Sequence, residues 1–545
     1  MAAASHSAVE AAGAATAFST SPAPVQGAEA LVHSSSEKGS SLNKAESDVA
    51  DDNESERSVP LKIIPWSYKG WVLALVICFE MAAYWNTGLS SIKSIIKKDL
   101  DINNAQYGVI SSASSLINTI IPFITGVLLD YYGAEVCVPI ASLLVFLGYL
   151  IAAAGATAKS YPAIVVGEVI AGFGDITVRT GQLKISAHWF RGTNLGVALA
   201  LAISVQRTIG VVAKSTAVPM SEKGGFHWFF WVAFILQAIC FALTIIYYFY
   251  ERSVPQEYRA PRGRDVHHAA TTRAERRATS LKHSMRRFWN SVLTLPMFFW
   301  FLLITQLLQN GVVIAFQTLN ADMYRVIRGV SATKAGWISG VGQIPVIILT
   351  FLCGLFFDKI GFRVHFIALS AILWIMVFCL LAYSDLSSIG ITFLQSIPYA
   401  INLVPLQAVI AMTVSPTQQG SAQGAYQVLV NPGTVIVNVA AGAIQDGSPK
   451  GKHNYDRVLV FLLAIKAWDV VAGALYCILD WTSLNKILSR SYKQQRAYDD
   501  KVAAGEVVKP ATPWLKSKNW VTRTALAIMF GQTVAAWVVY LKYSV

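Results

Sequence analysis

The chain has 545 residues, 54% of them hydrophobic and only 14% charged. A soluble protein of this size carries about a quarter charged residues, so the composition argues against a soluble globular protein. The net charge of +13 is gathered between apolar runs, as in membrane proteins with basic cytosolic loops, and does not point to nucleic acid.

Residues 1–60 are rich in Ala, Ser, Glu and Asp and almost free of aromatic residues. Such a segment buries too little apolar area to offset its ordering entropy, so a disordered cytosolic tail is expected. It lacks the basic stretch and short apolar core of a cleavable signal. The only glycosylation sequon, Asn53-Glu54-Ser55, falls inside it.

Apolar segments long enough to cross ~30 Å of hydrocarbon then recur. They cover about 70–90, 106–129, 136–157, 162–184, 194–214 and 228–250, then 297–318, 334–357, 364–384, 388–412, 420–444 and 457–479. The expected organisation is a six-helix bundle over 61–250, a basic cytosolic loop over 251–295 and a second six-helix bundle over 296–480. The loop carries Arg252, Arg259, Arg262, Arg264, Arg273, Arg276, Arg277, Lys282, Arg286 and Arg287. Lys/Arg-rich loops stay cytosolic, and a loop tethered beside the bilayer fits lipid headgroups. A polar linker over 481–518 precedes one more apolar stretch, so an extra transmembrane helix is expected over 519–542.

The six cysteines sit inside apolar runs with no CxxC spacing and read as small core residues. The chain shows no Gly-x-Ser-x-Gly elbow, no P-loop and no metal-spaced His/Cys/carboxylate cluster, so neither an enzyme nor a cofactor is expected.

The two halves repeat each other. Gly126, Asp130 and Gly133 have counterparts 228 positions later in Gly354, Asp358 and Gly361. The same offset relates Gly192 and Gly196 to Gly420 and Gly424. Duplicated apolar halves point to a transporter with its site between two bundles. In the Gly-x-x-x-Asp-x-x-Gly pattern the first glycine lets helices approach closely. The aspartate is placed to accept hydrogen bonds from a neighbouring helix amino terminus. Gly126, Asp130, Gly354 and Asp358 are therefore expected to gate. The pattern resembles the signature loop of the major facilitator superfamily, and the second copy, with Lys359 and Arg363, is the fuller match.

Charges inside membrane spans cost about 3 kcal/mol each and mark functional sites. Here they are Glu80, Glu168, Asp175, Arg179, Arg207, Lys466 and Asp469, and none recurs at the 228-residue offset. An unduplicated charge fits an asymmetric ligand better than a need common to both halves. Asp175, Arg179 and Gln182 share one helical face. Asp175 and Arg179 can neutralise each other, as can Lys466 and Asp469. Arg207 has no opposite charge within a turn of its own helix, so it needs a partner on another helix or in a ligand. Its guanidinium forks onto a carboxylate in bidentate fashion, which makes it the first candidate for an anionic ligand group.

The stretch from Gly167 to Gly210 resembles the lysosomal dipeptide transporter family, a major facilitator branch. The matching features are Gly172-Phe173-Gly174, Gln182, the run from Ser186 to Gly192, Gln206-Arg207 and Gly210. The resemblance implies that Arg207 binds a peptide carboxylate and that an acid on the fourth helix binds its amino group. That acid's register position is Ile176, with Asp175 one residue earlier; Glu168 stands where the family has arginine, and Glu80 lies more than a turn from the family's first-helix acid. Family members also rely on a glycosylated partner, so an accessory membrane glycoprotein is implied.

The expected fold is thus an all-α membrane protein of the major facilitator type, two six-helix bundles plus a carboxyl-terminal transmembrane helix. The expected function is alternating-access transport of a small carboxylate-bearing solute, a dipeptide or amino acid, in a lysosomal, vacuolar or plasma membrane. Substrate binding falls to Arg207, Asp175, Arg179, Glu80 and Gln182. Glu80 and Asp175 are also candidates to carry a coupling proton. A monocarboxylate or organic-anion carrier is the nearest alternative, and a non-transporting receptor or assembly subunit the alternative of another class.

Overall fold

A computed structural model of the chain describes residues 65–190, 195–260, 262, 264–265, 280–414, 418–491, 494, 497–498, 501 and 512–544. The expected tail over 1–60, with its sequon, and Arg273, Arg276 and Arg277 of the basic loop lie outside the described residues.

The fold is all helical among the described residues. The first crossing is built from α1 (Trp66–Val76) and α2 (Met81–Trp85), continues as a 3₁₀ turn over Asn86–Ile92, and leads into α3 (Lys93–Leu100). The second is α4 (Asn104–Ile117) and α5 (Ile121–Tyr132), bent by 40°. Then come α6 (Ala134–Thr157), α7 (Tyr161–Trp189), α8 (Leu195–Gly224) and α9 (His227–Ser253). After a short helix α10 (Leu281–Leu293), the second bundle starts with α11 (Met297–Thr305) and α12 (Gln309–Arg328), followed by α13 (Ala332–Val341) and α14 (Gln343–Ile360). It is completed by α15 (Arg363–Tyr383), α16 (Ser388–Thr413), α17 (Gln419–Asp446) and α18 (Asp456–Thr482). The last helix is α19 (Asn519–Ser544). Among the described residues, ten helices are long and apolar enough to cross a membrane, eleven if α4 and α5 count as one crossing. The protein is a multi-pass membrane protein. "Loop side" below means the face carrying the connection from α9 to α10, and "far side" the opposite face.

Four crossings break mid-way, and side chains from neighbouring helices meet the carbonyls freed at each break, as hydrocarbon requires. At the α1–α2 break, Gln182 Nε2 donates to the Val76 carbonyl at 2.7 Å and the Cys240 thiol to that of Cys78 at 3.1 Å. Between α4 and α5, Asn431 Nδ2 donates to the Asn118 carbonyl at 3.3 Å. Between α11 and α12, Gln532 Nε2 reaches the Leu307 carbonyl at 3.3 Å. Between α13 and α14, Ser396 Oγ donates to Gly342 at 3.1 Å. The repeat relates the first break of each half: Gln306, at the α11–α12 break, lies 228 positions after Cys78, at the α1–α2 break.

The extra helix α19 packs across both bundles. Ala525 and Met529 join the core built on α11, α17 and α18, while Ala536 and Tyr540 join the core of the first bundle. Its Gln532 reaches the α11–α12 break, and Trp537 Nε1 donates to Thr119 Oγ1 at the α4–α5 break, 3.3 Å away.

Candidate functional site

A cavity of about 220 Å³ lies between the two bundles. Its first-bundle wall comes from the turn after α2 (Asn86, Ser90), from α4 (Tyr107, Ser111), from α7 (Glu168) and from α8 (Arg207, Lys214); α12 and α14 supply Gln317 and Gln343 opposite. It is smaller than the ~300–1,000 Å³ of drug-sized sites, so it admits only a small solute.

Arg207 crosses the space between the bundles. Its Nη1 donates to Gln343 Oε1 at 2.5 Å and its Nη2 to the Tyr399 hydroxyl at 3.1 Å, with the guanidinium 5.4 Å from the Tyr399 ring centroid. These partners are neutral. Among the described residues no carboxylate lies within ion-pair distance of Arg207, and the guanidinium stands at the cavity wall. Glu168, buried on α7, accepts from Asn86 Nδ2 at 2.9 Å through one oxygen; its other oxygen, Oε1, has no hydrogen-bond partner. A buried polar atom left without a partner is rare in folded proteins and marks a place for a ligand atom or water. Lys214, two turns along α8 from Arg207, donates to Ser339 Oγ at 3.0 Å and to the Gln317 carbonyl at 3.4 Å. The cavity thus sets two cations against one carboxylate with a free oxygen.

Of the five residues expected to bind substrate, only Arg207 lines this cavity. Glu80, Asp175 and Arg179 form an ion cluster of their own: Arg179 lies 3.4 Å from Glu80 and 3.9 Å from Asp175. The mutual neutralisation open to Asp175 and Arg179 at i, i+4 is realised, with Glu80 added from the α1–α2 break. Gln182 does not face the cavity. Its amide is engaged by the Val76 carbonyl and by Gln206, which also donates to Glu80 at 3.1 Å. At the break the Val76 carbonyl accepts from the Phe79 amide at 3.2 Å and takes Gln182 as a second donor, and a sequence does not announce where a helix breaks.

The signature loop also departs from expectation. Asp130 is exposed and meets Lys184 Nζ at 2.6 Å on α7 of its own bundle, not a helix amino terminus. Gly126 makes no close helix approach, because a Cβ built there meets nothing within 4 Å. The surroundings of Gly354 and the side chain of Asp358 lie outside the described residues. An acid does cap a helix across the bundle interface, but on the far side. Asp446 of α17 accepts from the amides of Asn104 and Ala105 at 3.0 Å each and from Asn104 Nδ2 at 2.6 Å. Beside it, buried Lys93 of the first bundle lies 3.5 Å from Asp322 of the second and donates to Gln445 at 2.7 Å and Tyr455 at 3.1 Å. Asp322 also accepts from Arg325 at 2.9 Å and from the Tyr455 hydroxyl. These contacts latch the bundles together on the far side. Lys93, Asp322, Asp446 and Lys214 all sit at or beyond the ends of the spans read from hydropathy, where a charge reads as a solvated terminus.

The comparisons agree with this architecture. The family model described as Major Facilitator Superfamily matches residues 73–324 and 312–449. The lysosomal dipeptide transporter MFSD1 of Danio rerio is 22% identical over 420 residues, covering 75% of this chain and 86% of the relative. The Homo sapiens protein of that name is 20% identical over 402 residues, covering 72% and 82%. Among solved structures, a bacterial homologue of the human lysosomal transporter Spinster, inward-facing and unoccupied, superposes with a TM-score of 0.56 at 14% identity, covering 77% of this chain and 98% of that one. The nucleoside transporter NupG does so with a TM-score of 0.53 at 16% identity, covering 76% and 98%. With two six-helix bundles around a central polar cavity and a family match over most of its length, the chain belongs to the major facilitator superfamily and is a membrane transporter, not an enzyme.

Proposed function

We propose that the protein carries a small amphoteric carboxylate, a dipeptide or amino acid, across a lysosomal or vacuolar membrane by alternating access. Arg207 would take the carboxylate, exchanging its neutral partners Gln343 and Tyr399 for a bidentate charged one. Glu168 would take the ammonium group through its unpartnered oxygen. The single observation that carries this reading is that these two opposite charges, each lacking an ionic partner among the described residues, line one cavity. The named function of the MFSD1 relatives supports the substrate class.

Because Arg207 binds residues of the second bundle, a guest that replaces those bonds loosens one bundle from the other, which is how binding would couple to rocking. The far-side latch fits a state closed on that face. Arg179, 43% exposed beside buried Glu80, fits one accessible from the loop side, which the basic residues assign to the cytosol. In this reading Asp130 and Lys184 rearrange when the loop side closes.

The test is uptake of radiolabelled alanyl-alanine by the full chain in proteoliposomes. Wild type accumulates label to equilibrium, and Arg207→Ala and Glu168→Gln each lower the initial rate at least tenfold. Equal uptake by wild type and either variant removes that residue from the site. Retained uptake of lactate by Glu168→Gln alongside loss of the dipeptide distinguishes an ammonium site from a general requirement for Glu168. Wild-type uptake of lactate with no uptake of the dipeptide selects the monocarboxylate reading.

A further inference from the structure

We propose that the cavity reads a third charge, at Lys214, and that its preferred guest carries two carboxylates and one ammonium group, as in a dipeptide with one acidic side chain. This inference rests on the transport reading above and narrows its substrate class.

Lys214 and Arg207 are seven residues apart on α8, which brings them to the same helical face with their Cα atoms about 10 Å apart along the axis. Both line the cavity. Lys214 is 2% exposed, and its ammonium group donates to a serine hydroxyl and a backbone carbonyl. The chain treats two other buried lysines differently: Lys466 has Asp469 at 3.0 Å and Lys93 has Asp322 at 3.5 Å. Among the described residues no carboxylate lies within 4.0 Å of the Lys214 ammonium. A buried charge without a counter-charge is expensive, and the cavity beside it is where a counter-charge can enter.

Charge balance names the guest. The wall presents Arg207, Lys214 and Glu168, a net charge of one positive. A simple dipeptide is neutral and leaves that charge uncompensated; a guest with a second carboxylate cancels it. The neighbouring Glu80–Arg179–Asp175 cluster carries one excess negative charge, but none of its members lines the cavity. It also sits towards the loop side, whereas Lys214 lies on the far-side half of α8. The distance along α8, about 10 Å, suits a guest whose two carboxylates belong to adjacent residues. Nothing in composition or hydropathy separates such a guest from a neutral one; the separation comes from Lys214, which has no counter-charge among the described residues.

The experiment compares glutamyl-alanine, whose two carboxylates belong to adjacent residues, with alanyl-alanine in proteoliposomes of the full-length protein, with binding of both peptides to the purified protein measured in parallel. Wild type is expected to show a kcat/KM at least tenfold higher for glutamyl-alanine. Lys214→Gln collapses that ratio to near one, and Lys214→Arg, which keeps the charge, preserves it. A wild-type ratio near one overturns the inference, as does a ratio of ten that survives in Lys214→Gln. If folded wild type moves neither peptide, the transport reading fails by itself, and the binding arm still decides here: tighter binding of glutamyl-alanine, lost in Lys214→Gln, supports the third charge, and equal binding of both peptides refutes it.

Discussion

At the scale of single residues, the decisive property is which charges have partners. Arg207 was legible from sequence because a lone guanidinium in an apolar run has no local neutraliser. Asp175 was less so: an acid one position from Ile176 is rotated by about 100° around its helix, and it pairs with Arg179 and not with the cavity. Glu168 was visible as an intramembrane acid, yet only the three-dimensional arrangement shows that one of its oxygens lacks a partner. Lys214 was hidden, because it falls at the end of the apolar run, where a lysine reads as snorkelling to the surface, whereas α8 continues to Gly224. The fork geometry of Arg207 gives a prediction at this scale. Arg207→Lys keeps the charge but offers no bidentate pair, so the KM for alanyl-alanine should rise about tenfold with the maximal rate little changed. A KM equal to wild type would show that charge alone suffices.

At the scale of elements, the broken crossings explain both what the repeat specified and what it left open. The 228-residue offset carried the helix order and even the positions of the first breaks, since each half must bend its leading helix at an equivalent point. It did not carry which side chains meet the freed carbonyls, because Gln182 and Gln532 come from different elements in the two halves. The extra helix α19 was legible as an apolar stretch, but its place against both bundles was not, since hydropathy along a sequence carries no tertiary partner. Gly433 makes the contact possible: a Cβ there would overlap the Leu307 carbonyl, the group to which Gln532 donates. Gly433→Ala should therefore destabilise the protein by about 1–3 kcal/mol, the usual cost of overpacking, read as a lower Tm of the purified protein. Truncation after Leu515 should also lower Tm, by exposing the faces that Ala525, Met529, Ala536 and Tyr540 cover. An unchanged Tm in either case would mean that α19 does not brace the breaks.

At the scale of the whole molecule, the far-side latch and the central cavity describe one conformational cycle. Opening the far side must part Lys93 from Asp322 and Asp446 from the amino terminus of α4. Removing one partner of a buried ion pair costs about 3–5 kcal/mol, enough to move a two-state equilibrium by more than a hundredfold. Burial pushes the Lys93 amine down to about 8, with Asp322 pulling it upwards. The sign follows: opening returns the amine to water and to its ordinary, higher value, so between about 8 and that value the open state holds a proton that the closed state has lost, and raising the pH favours the closed state. Raising the pH from 7 to 9.5 should thus favour far-side closure. Spin labels at Ala158→Cys and Ser384→Cys, in far-side turns of the two bundles, should report a shorter distance at high pH, whereas Asp322→Asn, which removes the partner of buried Lys93, should lengthen it at pH 7. A distance insensitive to both changes would remove the latch from the cycle.

The central claim is that one cavity grips a small solute by its two opposite charges. The most direct measurement is a structure of the full-length protein determined with alanyl-alanine at saturating concentration. The account predicts the peptide carboxylate on the Arg207 guanidinium, with Gln343 and Tyr399 released, and the ammonium group within hydrogen-bond distance of Glu168 Oε1. A peptide seated instead on the Glu80–Arg179–Asp175 cluster, or a cavity that stays empty, would contradict it.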